Sequence, residues 1–237
     1  MYEFEARIRY SEVDLEGKLT WMALLNYFQD TSTFQSEDLS VGVRFLTKQG
    51  FAWVLNAWQI DVVRLPELAD HVILGTIPYE IKGFMGFRNF YMKDKNTGEI
   101  LAMANSIWTL MDINAMRPSR VTQEMKDAYN KEPKLDMEYL DRKILFTGEG
   151  KTEETIEVKA HHLDTNHHVN NGQYVQMALE FLPENFKIKR LRAEYKKSAL
   201  LSDLIVPVVY KQPDGIGISL KTQDGDVFTN VEFQGEI

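Results

Sequence analysis

The chain has 237 residues, 44% of them apolar and 26% charged, with a net charge of -8 and no cysteine. That size and balance suit one large or two small globular domains with true cores. Lack of cysteine excludes disulfides, thiolate metal sites and a cysteine nucleophile. The negative charge disfavours generic nucleic-acid binding, and no apolar run is long enough for a membrane span.

The first residues alternate apolar and charged side chains and read as a strand, Glu3 to Tyr10, rather than a signal or transit peptide. A cytoplasmic location fits. A polar loop, Ser11 to Lys18, leads to a helix whose apolar positions Trp21, Leu24, Leu25 and Phe28 fall on one face, with Thr20 as its cap. Strands follow at Phe51 to Arg64, His71 to Tyr79, Phe87 to Lys93 and Ile100 to Met111, with a hairpin turn at Lys95 to Gly98. One helix and then a run of strands is an α+β pattern. Asp112 to Gly150, with a short helical reading at Gln123 to Tyr129, reads as a connection.

The order then repeats. A strand, Thr155 to His161, leads into a polar loop, Asp164 to Asn171. A helix carries Tyr174, Val175, Met177, Ala178, Phe181 and Leu182 and stops at Pro183. Strands follow near Lys189 to Lys197, Leu204 to Lys211, Gly215 to Lys221 and Phe228 to Phe233. Asp14 and Asp164 occupy the same place, 150 residues apart. Asp70 and Asp203, each after a matching strand, are 133 apart, so the first half is 17 residues longer between those points. An internal duplication is the economical reading, with halves at 1–135 and 136–237.

The loop Asp164-Thr-Asn166-His-His168-Val-Asn-Asn171 packs a carboxylate, an amide and an imidazole against a helix start. Histidine moves protons near neutral pH. An amide holds a water or carbonyl. Uncapped helix N–H groups stabilise an oxyanion, and Asn170 or Asn171 is a good cap. These parts suffice to add water to an acyl carbonyl. Polar residues also crowd turns for capping reasons alone, so the residue types leave plain turn chemistry open. The histidines 161, 162, 167 and 168 match no zinc spacing, and His161 and His162 are expected on opposite faces of a strand. Neither a metal nor another cofactor is expected.

The loop resembles the acyl-acyl-carrier-protein thioesterase family of plants and bacteria, whose pattern is Asp-x-Asn-x-His-Val-Asn-Asn-x-x-Tyr. Asp164, Asn166, His168, Val169, Asn170, Asn171 and Tyr174 fit it. Further similarities span nearly the whole chain: Leu24 to Thr31, Thr97 to Leu101, Ser106 to Met111 and Glu194 to Lys197. The resemblance implies an α+β tandem (double) hot-dog fold, with two antiparallel sheets each wrapping a long helix. It also implies a catalytic second half and a first half that shapes the acyl pocket. The first loop agrees, carrying Glu16 and Lys18 where the second has Asn166 and His168.

Plant members of the family carry Glu then Cys after the Tyr-basic-basic stretch. Here those places read Ser198 and Ala199. No cysteine-triad mechanism is open to this chain, and Ser198 is at most a supporting position. Glu194, four residues earlier on the same strand, is too far along to take that place.

The expected activity is hydrolysis of fatty acyl thioesters of acyl carrier protein by direct water attack, with Asp164, Asn166 and His168 as catalytic residues. Either Asp164 or His168 serves as base. The expected acyl pocket includes Trp21, Trp53, Phe84 and Phe87, for which ordinary core packing is an equal reading. Lys187, Lys189, Arg190, Arg192, Lys196 and Lys197 offer an acidic carrier a basic patch, or alternatively protect a solvated strand edge. Rival readings are an acyl-coenzyme A thioesterase, a hot-dog hydratase and a non-catalytic acyl-binding protein. A monomer and a homodimer both fit.

Overall fold

The computed structural model describes residues 1–129 and 131–236. By internal contacts the chain divides into two compact units: residues 1–56 with 62–139, and residues 57–61 with 140–237.

The first unit opens with β1 (Tyr2–Arg7), a 3-10 turn at Tyr10–Glu12 and α1 (Trp21–Asp38). The Thr20 hydroxyl accepts the Ala23 N–H at 3.2 Å, capping α1. Trp21, Leu24, Leu25 and Phe28 are buried, and the same face continues as Thr31, Ser32 and Gln35. A short helix absent from the sequence reading, α2 (Val43–Gln49), ends at Gly50, whose φ of +77° suits glycine. The strands are β2 (Phe51–Val62), β3 (His71–Lys82), β4 (Met85–Asp94), β5 (Ile100–Asp112) and the short β6 (Arg117–Pro118), followed by α3 (Gln123–Ala128). They form an antiparallel sheet in the order β1-β3-β4-β5-β2, with β6 beside β5. Phe28 of α1 meets Phe90 of β4 with ring centroids 5.5 Å apart. Full burial of each such side chain is worth about 1.5–3 kcal/mol.

The second unit contains β7 (Lys151–Thr152), β8 (Ile156–Glu157), a 3-10 turn at Ala160–His162, α4 (Asn171–Leu179), β9 (Lys187–Tyr195), β10 (Leu204–Gln212), β11 (Gly215–Lys221) and β12 (Val227–Glu236). Its sheet is also antiparallel, running from Ala57–Asp61 of β2 through β9, β12, β11 and β10 to β7, with β8 also beside β10. Each unit thus has the hot-dog layout of one helix against an antiparallel sheet. The second helix differs from expectation in length, with 9 residues against 18 in α1. A second difference lies at the expected strand Thr155 to His161. Only Ile156–Glu157 pairs, and His161 and His162 lie in the 3-10 turn with their rings edge to face at 4.1 Å. The sequence there leads into a loop, and a tight turn aims the chain where an extended strand cannot.

The connecting segment is held by buried polar side chains. In the first unit Asn89 Oδ1 accepts the Leu135 N–H at 3.0 Å and the Tyr139 hydroxyl at 2.8 Å. In the second, Gln59 Oε1 accepts the Leu140 N–H at 3.0 Å, Glu194 Oε2 the Ile144 N–H at 3.2 Å, and Asn230 donates to the Ile144 carbonyl at 3.3 Å. All four side chains are buried, so each pairing removes a desolvation penalty.

Candidate active site

Asp164 sits between the Ala160–His162 turn and α4. Its Oδ1 accepts the N–H of Asn166 at 2.7 Å and, more weakly, that of His168 at 3.4 Å. Its own N–H donates to the His168 carbonyl at 2.8 Å, and its carbonyl accepts the His167 N–H at 3.1 Å. A bridge between Leu163 and Val169 closes the base of the loop. Closure forces His167 to φ +62°, a left-handed conformation costing an L-residue about 1–2 kcal/mol.

Asp14 builds the same loop in the first unit. Its Oδ1 accepts the N–H of Glu16 at 2.9 Å and of Lys18 at 3.0 Å, a Val13–Leu19 bridge closes the base, and Gly17 has φ +77°. The backbones match; the side chains do not. Lys18 pairs with Glu16 at 2.7 Å. Asn166 and His168 are exposed, and neither side chain has a hydrogen-bond partner among the described residues.

Helix α4 begins immediately after this loop. Asn170 is its cap: Oδ1 accepts the Gly172 N–H at 2.8 Å, and its carbonyl accepts the Gln173 N–H at 2.9 Å. Those two donors are therefore spent. The Asn171 N–H has no acceptor among the described residues and marks the donor position open to a ligand oxygen.

The loop is tethered from behind. Val169 N–H donates to the Ala199 carbonyl at 3.0 Å, and Ala199 N–H to the Tyr174 hydroxyl oxygen at 2.7 Å. The Tyr195 hydroxyl donates to the Asn171 carbonyl at 3.0 Å. Burial pushes the Tyr174 hydroxyl up to about 12 and raises that of Tyr195 as well, so both stay neutral. The sequence reading places Ala199 where plant members carry Cys and includes Tyr195 in the Glu194 to Lys197 similarity, but gives neither a role in bracing the loop; Tyr174 is part of the loop pattern.

Ser198 is exposed and precedes the fully buried Ala199. Glu194 is buried and spent on Ile144 N–H, with Lys196 at 3.5 Å. Among the described residues, no group of three or more His, Asp and Glu side chains is arranged to hold a metal.

Trp21 is buried on the first turn of α1, and Trp53 packs beside the small cluster Leu46, Leu110, Val121 and Met125. Phe87 lies 6.1 Å from Tyr79, and Phe84 is 43% exposed at the β3–β4 turn. Two surface clefts, of about 490 Å³ beside Asp61 and Lys189 and about 390 Å³ beside Glu12 and Tyr27, are lined by none of these four.

Arg190 and Arg192 lie where β9 is flanked by both β2 and β12, so edge protection does not explain them, whereas Lys187 and Lys189 lie beyond the β2 pairing. Arg190 pairs with Asp61, and Arg192 with Glu232 at 2.8 Å, all four partly buried. Lys189 pairs with Glu236 at 2.9 Å and Lys197 with Asp226 at 3.7 Å, in exposed positions; Lys187 is exposed too.

Comparison with known families decides the kinship. The model of the acyl-ACP thioesterase N-terminal domain matches residues 1–129, and that of the C-terminal domain matches residues 147–228. The chain belongs to the acyl-ACP thioesterase family. Among its relatives, a chloroplastic acyl-acyl-carrier-protein hydrolase of Cuphea viscosissima is 27% identical over 229 residues, covering 89% of this chain and 54% of the relative. The chain spans about half the length of the curated relatives it matches. The fold is that of an acyl-ACP thioesterase from Bacteroides thetaiotaomicron, with a TM-score of 0.90, 21% identity, and coverage of 99% of this chain and 97% of that one. A 12:0-ACP thioesterase from Umbellularia californica superposes with a TM-score of 0.85 at 20% identity, covering 99% and 96%. Among the described residues no helix is long and apolar enough to cross a membrane.

Proposed function

We propose that this chain hydrolyses fatty acyl thioesters of acyl carrier protein, with the second unit catalytic and the first shaping the acyl pocket. One observation carries the reading. Both units build the same Asp-centred loop, but only the second places an amide and an imidazole on it, exposed, next to an unspent helix N–H. Asp14 makes this loop where no chemistry is equipped, so folding the loop suffices to account for Asp164. Asp164 is therefore assigned to positioning and His168 to the base.

His168 takes a proton from water as the water oxygen attacks the thioester carbonyl carbon. The Asn171 N–H supports the oxygen that becomes negative, and Asn166 holds the water or the carbonyl. The tetrahedral intermediate expels the thiolate, and the proton returns to sulfur. Family membership supports the thioester class, and the half-length match to curated relatives makes the carrier a separate question for the same assay.

Release of thiol from matched acyl-carrier-protein and acyl-coenzyme A substrates tests the reading. Turnover on the carrier protein, lost by two to four orders of magnitude in His168→Ala with Tm unchanged, is expected. Wild-type-like turnover in that variant removes His168 as base, and a preference for coenzyme A reassigns the carrier.

A further inference from the structure

Asp164 is reached through the Ala160–His162 turn, and the loop's geometry is only as fixed as that turn. The His162 ring closes it: Nδ1 accepts the Lys159 N–H at 3.0 Å. The His162 carbonyl accepts the N–H of Asn170, the cap of α4, at 2.9 Å. One residue therefore joins the entrance of the loop to its exit. Leu163, next in the chain, forms the bridge with Val169.

The first unit shows what the position requires. Glu12, 150 residues earlier, accepts the Arg9 N–H at 2.8 Å with its carboxylate, and its carbonyl accepts the Thr20 N–H at 2.9 Å. The same two bonds recur in both units, so an acceptor at this position is part of how the loop is made. The first unit uses a carboxylate, further held by Arg9 and by the Tyr27 hydroxyl at 2.7 Å. The second uses an imidazole.

Resting on the thioesterase reading, we infer that His162 is a positioning residue of the reaction, clamping the catalytic loop through a bond that only unprotonated Nδ1 can accept. A protonated ring has a donor at both nitrogens and cannot make it. Burial, and then the neighbouring His161 and Lys159, hold the ring below the ordinary histidine value. Lys159 is itself paired with Glu157 of β8, and the Asp164 carboxylate, two residues on, is turned to the N–H groups of Asn166 and His168. The sign follows. The folded-state value is depressed, so the clamp is complete above the unfolded histidine value near 6.5 and is lost as pH falls through the folded one. Acidification therefore loosens the loop independently of any proton taken up by His168.

The test compares His162→Ala with His162→Asn, whose Oδ1 supplies a non-titrating acceptor close to the place of Nδ1. In steady-state assays on a carrier-protein thioester, His162→Ala is expected to lose about tenfold or more in kcat with KM within about threefold. His162→Asn is expected to recover most of that kcat at pH 8 and to show a shallower acid limb than wild type. A wild-type kcat and acid limb in His162→Ala overturn the proposal. If His162→Ala does not fold, the acid limb of His162→Asn decides: unchanged steepness overturns it. Nitrogen-15 NMR of the wild-type ring judges the clamp without activity. Neutral His162 must carry its proton on Nε2, and a proton on Nδ1 overturns the inference. A wild type that cleaves no acyl thioester defeats the thioesterase reading, while the ring measurement still rules on the clamp.

Discussion

The backbone N–H of Ala199 donates to the hydroxyl oxygen of Tyr174 at 2.7 Å, and both residues are buried. The carbonyl of Ala199 holds the N–H of Val169, so this contact reaches the loop through a single residue. Tyr174→Phe strands a buried N–H and is expected to cost about 1–3 kcal/mol. Urea denaturation measures that loss. Turnover should fall together with stability, since the segment bracing the loop is released.

Asp14 and Asp164 make the same turn, which permits a paired comparison. Asp14→Ala and Asp164→Ala should each destabilise by about 1 kcal/mol, the usual worth of such a side-chain acceptor. Only Asp164→Ala should depress kcat by an order of magnitude or more. Equal effects on kcat would mean that loop folding alone, in either unit, controls the rate.

His167 stands at φ +62° where the first unit has a glycine. His167→Gly removes the left-handed penalty and is expected to leave Tm equal or higher, with kcat within about threefold. His167→Val brings a β-branched side chain to that conformation and should lose about 1–2 kcal/mol. Thermal unfolding of the two variants gives the comparison.

The six cations near β9 are not equivalent. Arg190 and Arg192 are committed to partly buried carboxylate pairs, and replacing either should lower stability more than carrier affinity. Lys187, Lys189 and Lys197 are exposed, and salt and competing anions readily displace the pairs that Lys189 and Lys197 make. The double variant Lys187→Glu with Lys189→Glu should reduce kcat/KM for acyl carrier protein severalfold at low salt and much less at high salt. A salt-independent reduction would count against steering.

Much of this architecture is legible in the sequence because local signals and burial agree. Thr20 before the Trp21, Leu24, Leu25, Phe28 face marks both the start and the buried side of α1. The recurrence of Asp14 and Asp70 at Asp164 and Asp203 marks the repeat, and Asp70 and Asp203 make matching bonds, to the N–H of Glu67 and of Leu200. Other elements lack such agreement. Helix α2 is seven residues with one buried side chain, too short for a periodic signal. His161 and His162 follow a strand-like run, and the bond that turns the chain, His162 to Lys159, resembles no standard strand stop. The roles of Tyr195 and Ala199 depend on partners tens of residues away, Asn171 and Tyr174, which no local pattern carries. Glu12 held the one overlooked clue: at the repeat spacing it points directly to His162.

The polar side chains beneath the connecting segment bear on how such chains are recombined. Asn89, Gln59, Glu194 and Asn230 each satisfy a backbone or hydroxyl group between Leu135 and Ile144. A chimera that joins one relative's first half to another's second through a glycine–serine spacer would leave these acceptors and donors in the dry interior with nothing to bond. The joint in a grafted protein therefore has to travel with its underlying side chains, as a splice of segment and sheet together.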